Sequence, residues 1–276
     1  MESLKLFPRR VFAFVARDFR LFVSYRMQFF LRILSVLTVV TTFFFISKIF
    51  SGFTDPKFAQ WQDPLATWLT GLAVLNYFMT GFSSLANSIR QEQTQGTLES
   101  VLLTPINLPT VIVASSGWDF LETTFFSFLY LFFGWVFFNV QFKGSFLLAL
   151  VFLILTTVVL ACLGILSASF AMVFKRGDPF GMFLGAGSAL FSGVFFPTQL
   201  LREYAGPKLS AISLLLPATH GLDGIRQVLI QGHGLAEVTQ PLITLLIFLA
   251  ILLPFSLWVF SRAVKKAKRE GSLIQY

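Results

Sequence analysis

A chain of 276 residues with mean hydropathy +0.77, 55% hydrophobic residues and 12% charged residues carries about half the charge of a soluble domain. Secreted enzymes, cytosolic enzymes and nucleic-acid binders are excluded on that composition. The net charge of +8 is therefore a matter of membrane topology, with no nucleic acid as partner.

The first element expected is an amphipathic helix within residues 1–32. At 100° per residue Arg10, Arg17, Arg20, Ser24, Gln28 and Arg32 share one side, and Phe12, Phe14, Phe19, Val23, Met27 and Phe30 share the other. A basic face against an aromatic face suits a helix lying in the membrane interface. Its length and charge do not fit a signal-peptide n-region, so the N-terminal segment is expected to be retained.

A bilayer core takes about 20 apolar residues per helix, and six stretches qualify. They are residues 33–54 (with Lys48 reaching the interface from near the end), 64–89, 111–142, 144–174, 179–201 and 238–261. The fold class expected is therefore an all-α integral membrane protein with six transmembrane helices, forming a single transmembrane domain over 1–276. With the N-terminus cytoplasmic, 15 of the 21 basic residues fall on the cytoplasmic side, and both termini are inside.

Between the second and third spans lies the loop 90–109, RQEQTQGTLESVLLTPINLP. It reads as a short amphipathic helix on the cytoplasmic face, with Thr97 near its start and Pro105 and Pro109 as breakers. A seventh span over Ser100–Trp118 is disfavoured by those prolines and by the external C-terminus it would create. In the third span Asp119 and Glu122 share a face and are the intramembrane carboxylates to watch. In the fifth, Gly181, Gly185, Ala189 and Gly193 recur every four residues, a small-residue face for close helix packing, within the protomer or between protomers. The external segment 202–237 contains a 14-residue uncharged stretch, Leu209–Leu222, broken by Pro217. That is too short to cross, and it suits a pair of short re-entrant or interfacial helices before the last span.

Chemistry is sparse. Cys162 stands alone, His220 and His233 have no further ligands at metal spacing, and no G-x-x-x-x-G-K-[ST] loop exists to hold ATP. No metal, no catalytic residue and no cofactor is expected for this chain.

Three ordered blocks resemble the ABC type-2 exporter permeases. Ser88–Pro105 is similar to the family's stretch after the second span, matching at Glu92, Gly96, Thr97, Leu98, Glu99, Leu102, Leu103, Thr104 and Pro105. Phe191–Pro197 resembles the end of the family's fifth span, and Leu216–Gln227 the stretch before its last span. The resemblance implies a membrane subunit without enzymatic activity that forms a homodimeric path with a second copy of itself. Two copies of a separate ATP-binding cassette ATPase, which carry the ATP and Mg, would dock from the cytoplasm. It makes 90–109 the coupling loop, with Arg90, Glu92, Gly96, Thr97, Leu98, Glu99, Leu102 and Pro105 as coupling residues. Asp119, Glu122, Pro197, His220 and Arg226 are then candidates for a polar path or gate. The location implied is the inner membrane of a prokaryote, and the substrates would be drugs, lipids or lipid-linked glycans. Thirty-six Phe against five Trp and five Tyr lean towards a hydrophobic or amphiphilic substrate rather than a polysaccharide. The alternatives are a secondary transporter, which would need an internal repeat and midplane ion ligands, and a non-transporting assembly or sensory subunit.

Overall fold

The computed structural model describes residues 15–16, 19–20, 22–51, 63–94, 108–174, 179–196, 206 and 210–269. Its principal helices are α1 (Arg26–Ser51), α2 (Pro64–Thr94), α3 (Leu108–Phe138), α4 (Phe146–Phe174), α5 (Pro179–Phe191), α6 (Pro217–Leu229) and α7 (Thr239–Arg269). No strand occurs among the described residues. That is what lipid imposes, because a helix satisfies its backbone donors and acceptors internally where no water can.

Five of the helices, α1, α2, α3, α4 and α7, are long and apolar enough to cross a membrane. The expected crossing over 179–201 is different. Helix α5 has 13 residues and rises about 20 Å, short of a hydrocarbon core of about 30 Å. It ends at Phe191, and the chain turns through residues 192–196, with Gly193 at φ 82°. An uncharged run measures apolar length, but a Ser-Gly pair inside it stops the helix. The start of the chain also departs from expectation. The helical stretch at 22–24 breaks at Tyr25, and α1 begins at Arg26 rather than Ile33. Arg32 therefore belongs to the first long helix and not to an interfacial helix running through residue 32.

Helix α2 is the hub. It packs most extensively on α3 and α4, and it also meets α1, α5 and α6. Its start is well made: Pro64 occupies the first turn, where its missing N–H is no loss, and the Asp63 carboxylate accepts from the Ala66 N–H at 3.0 Å. One core cluster joins α2, α4, α6 and α7 through Phe78, Phe82, Phe152, Leu160, Leu222 and Leu245. A second joins α1, α2 and α3 through Val40, Leu69 and Phe126.

Helix α6 does not lie outside the bundle. A Cβ on Gly221 would collide with Thr156, one on Gly224 with Phe152, and one on Gly144 with the Val228 carbonyl. So α6 runs antiparallel to α4, with Gly221 about 15 Å past the start of α4 and Pro217 a further turn on. A helical stretch at 210–214 precedes it, and the Leu215 and Leu216 N–H groups bond back to Ile212 and Ser213. This part of the expected external segment is a hairpin that turns back inside the bundle. At its other end the Lys143 N–H donates to the Leu229 carbonyl at 2.9 Å, tying the α3–α4 loop to the end of α6.

Candidate functional site

The most deeply buried charge among the described residues is Arg226 on α6, 8% exposed. Its Nη1 donates to the Gly193 carbonyl at 2.6 Å, and its Nη2 donates to the Thr67 and Val194 carbonyls at 2.9 and 3.0 Å. One guanidinium thus joins three segments: the hairpin helix α6, the turn that ends α5, and the first turn of α2. The planar fork suits this task, since its donors diverge in fixed directions that a lysine ammonium lacks. The carbonyls at the end of α5 are also the negative end of a helix, so the cation sits where the helix dipole favours it.

Nothing apolar separates these partners. Gly71 on α2 brings the backbone close enough that a Cβ there would meet the Val194 carbonyl and Arg226. Trp68 Nε1 donates to the Phe195 carbonyl at 2.6 Å, which fixes the next residue of the turn. The Nε of Arg226 has no hydrogen-bond partner among the described residues.

A second charged locus joins α1 to α3. Arg32 forms an ion pair with Glu122 and lies 4.1 Å from the centroid of the Phe126 ring. The cation–π contact and the carboxylate together hold the guanidinium against α3. Asp119 is one turn earlier on the same helix and is partly buried.

Between α2 and α3 runs a seam of hydroxyl groups. Tyr77 donates to Thr124 at 2.7 Å, Thr80 and Thr123 share a bond of 2.7 Å, and Ser127 donates to the Ala73 carbonyl at 2.9 Å. In lipid, such bonds join helices because there is no water to compete for them.

The structure places the residues singled out in the sequence as follows. Arg226 and Gly193 come together, but in a role the spacing did not indicate. Gly193 lies beyond the end of α5 in a left-handed turn and supplies a carbonyl, so the small-residue face is confined to Gly181, Gly185 and Ala189 on the helix. Gly185 faces α2 within the same chain, where a Cβ would make ordinary contact with Met79 at 3.5 Å and Phe82 at 3.7 Å. His220 stands on α6 away from the clamp, its Nε2 3.0 Å from the Leu214 carbonyl and its ring 5.9 Å from that of Phe248. Arg90 and Glu92 lie on the last turns of α2. Gly96, Thr97, Leu98, Glu99, Leu102, Pro105 and Pro197 lie outside the described residues. Sequence reasoning missed Thr67, Gly71, Gly221 and Gly224, although the last two stand in LPATHGLDGIRQ, where closely spaced glycines on a helix are a packing signal. It also treated Arg32 and Glu122 separately.

Among curated proteins, none matches this chain. A family model described as ABC-2 type transporter matches residues 9–230, a span that contains α1 to α6, the Arg226 clamp and the Arg32–Glu122 pair. Such permeases are the membrane component of a transporter that works with an ATP-binding cassette partner, and they are not themselves the ATPase. The long apolar helices and the match over most of the chain agree, and this multi-pass membrane protein belongs to the ABC-2 type transporter family.

Proposed function

We propose that this chain is the permease subunit of an ATP-driven exporter, two copies of which form the path for a hydrophobic or amphiphilic substrate in a prokaryotic inner membrane. The observation that carries this reading is the family match over residues 9–230 on a chain with five candidate crossing helices. Energy enters from a separate ATP-binding cassette subunit, two copies of which dock on the cytoplasmic segment 90–109. The shape of α2 supports that assignment. Its apolar part ends near Ser84, but the helix continues to Thr94, at the end opposite the Arg226 clamp. A rigid helix leading directly into the docking segment can transmit a push along its axis to Thr67 and Gly71. On this reading the clamp is part of the gate at the far side, and α5 with the α6 hairpin is a broken, re-entrant unit rather than a simple sixth crossing.

The test is Leu102→Arg. Leu98 and Leu102 share one helical face, and an unpaired charge at a buried docking face costs several kcal/mol. Loss of transport and of ATPase co-purification, with membrane insertion intact, is the expected result. Normal recovery of the ATPase with this variant would end the docking assignment. Single cysteines at Gln95, Lys208 and Lys268 check the orientation independently: only the one at Lys208 reacts with impermeant reagents in intact cells.

A further inference from the structure

A cavity of about 410 Å³ opens between the N-terminal helical stretch, the start of α1 and the middle of α3, and none of the roles above uses it. Phe19, Phe22, Phe29, Trp118 and Phe125 line it, and Arg26 stands at its rim. The aromatic walls are held by their own contacts: Trp118 lies 5.7 Å from Phe19 and 5.3 Å from Phe22, ring centre to ring centre. The volume falls in the range of pockets that take small ligands, and the lining is almost wholly apolar.

The charges decide what fits. Glu122 borders the cavity, but its carboxylate is engaged by Arg32. Arg26, and Arg20 three residues before Val23 of the lining, have no acidic partner among the described residues. With Glu122 paired to Arg32, Arg26 is the one charged residue of the lining without a carboxylate partner among the described residues. Trp118 and the arginines are also the residue types that settle at the headgroup level of a bilayer, which places the opening at an interface and its apolar walls against the acyl region. A ligand for this geometry has an apolar tail and an anionic head. A lipophilic cation would meet Arg26 instead of a free carboxylate.

We infer that this cavity is a binding site for one anionic phospholipid of the surrounding leaflet, with an acyl chain between Trp118 and the phenylalanines and its phosphate towards Arg26 and Arg20. The bilayer itself supplies the ligand, so the test of the site needs no transport.

Trp118 is a built-in reporter. The full chain is reconstituted in phosphatidylcholine vesicles containing a minor fraction of brominated phosphatidylglycerol or, at equal mole fraction, brominated phosphatidylcholine. The quenching that belongs to Trp118 is the difference between the wild type and Trp118→Phe. Stronger quenching by the anionic lipid is expected, and Arg26→Gln should reduce that preference about fivefold, the effect of one basic residue at a membrane surface. Lys265→Gln, an exposed charge of the same sign on α7, should leave it unchanged. Equal quenching by the two lipids in the wild type would reduce the cavity to ordinary lipid-facing surface. An equal loss in Arg26→Gln and Lys265→Gln would assign the preference to overall charge and overturn the site. Restored Trp118 fluorescence on adding a lipophilic cation, without a matching effect of an anionic amphiphile, would reverse the sign of the proposed ligand.

Discussion

Helices α1 and α2 are both long enough to cross a membrane, yet they are opposites. In α2, 72% of the crossing stretch is buried within the protomer; in α1 the figure is 11%. The buried helix is the more polar of the two. Helix α2 carries Thr67, Thr70, Tyr77, Thr80 and the two glycines Gly71 and Gly81, whereas α1 shows Leu34, Phe45 and Ile49 to its surroundings. In water the apolar helix would be inside. Here the surrounding lipid is as apolar as leucine, so burial goes to the residues that gain from it: hydroxyls that find partners and glycines that permit close backbone approach.

The comparison is most severely tested at the start of α2. Arg226→Met should cost about 3 kcal/mol, because the Gly193 and Val194 carbonyls lose their charged donor, while the Thr67 carbonyl keeps only its bond from Thr70 Oγ1. Thermal unfolding of the detergent-solubilised protein measures it. Arg226→Lys retains the charge but cannot span the three carbonyls, and it should recover only part of the loss. A wild-type melting temperature for Arg226→Met would show that the clamp does not hold α2, α5 and α6 together.

Why this clamp could not be foreseen is instructive. Arg226 stood in the block Leu216–Gln227 as a candidate for a polar path or gate, and the charge rule counted it on the outer side with Lys208 and Arg202. Its partners lie 32, 33 and 159 residues away, and they are backbone carbonyls, which no side-chain pattern reports. The same holds for Arg32 and Glu122, 90 residues apart. Helix existence was legible, because about 20 uncharged residues on a membrane-sized period leave few alternatives. Helix ends were legible only where a residue enforces them, as Asp63 and Pro64 do for α2. The α5 break was written in Ser192–Gly193, but an uncharged run through Leu201 concealed it. The period of four in the glycine face presumes a helix that continues, and the helix ends before Gly193.

The next test separates tight from loose glycines. Gly81 on α2 faces α4, where an added Cβ would stand 3.0 Å from the Leu160 Cβ; Gly187 on α5 has no atom within 4 Å of that position. Gly81→Leu should destabilise by about 1–3 kcal/mol through overpacking, and Gly187→Leu by no more than about 0.5. Gly185→Leu should fall between them, since Met79 is flexible and can give way. Equal effects at 81 and 187 would mean that the α2–α4 contact is looser than its geometry. Smaller still is the seam with α3. Thr123→Val removes the bond to Thr80 and should cost about 0.6 kcal/mol, near the mean for hydrogen bonds between membrane helices.

Helix α1 gives the smallest effect and the sharpest contrast. Phe45 and Ile49 are 62% and 64% exposed and lie one turn apart, so they present one apolar face outward from the protomer. If lipid covers that face, truncation exchanges one apolar surface for another. Phe45→Ala with Ile49→Ala should then change the stability of the protomer by no more than about 0.5 kcal/mol. A homodimer changes the expectation in a measurable way. Should a second copy rest on this face, the double variant melts like the wild type when dilute but loses the dimer as concentration falls, since association enters stability by mass action. Sedimentation in detergent over a range of concentrations distinguishes the two. A large loss of stability that does not depend on concentration would contradict both outcomes, because it would require α1 to be packed inside the protomer as α2 is.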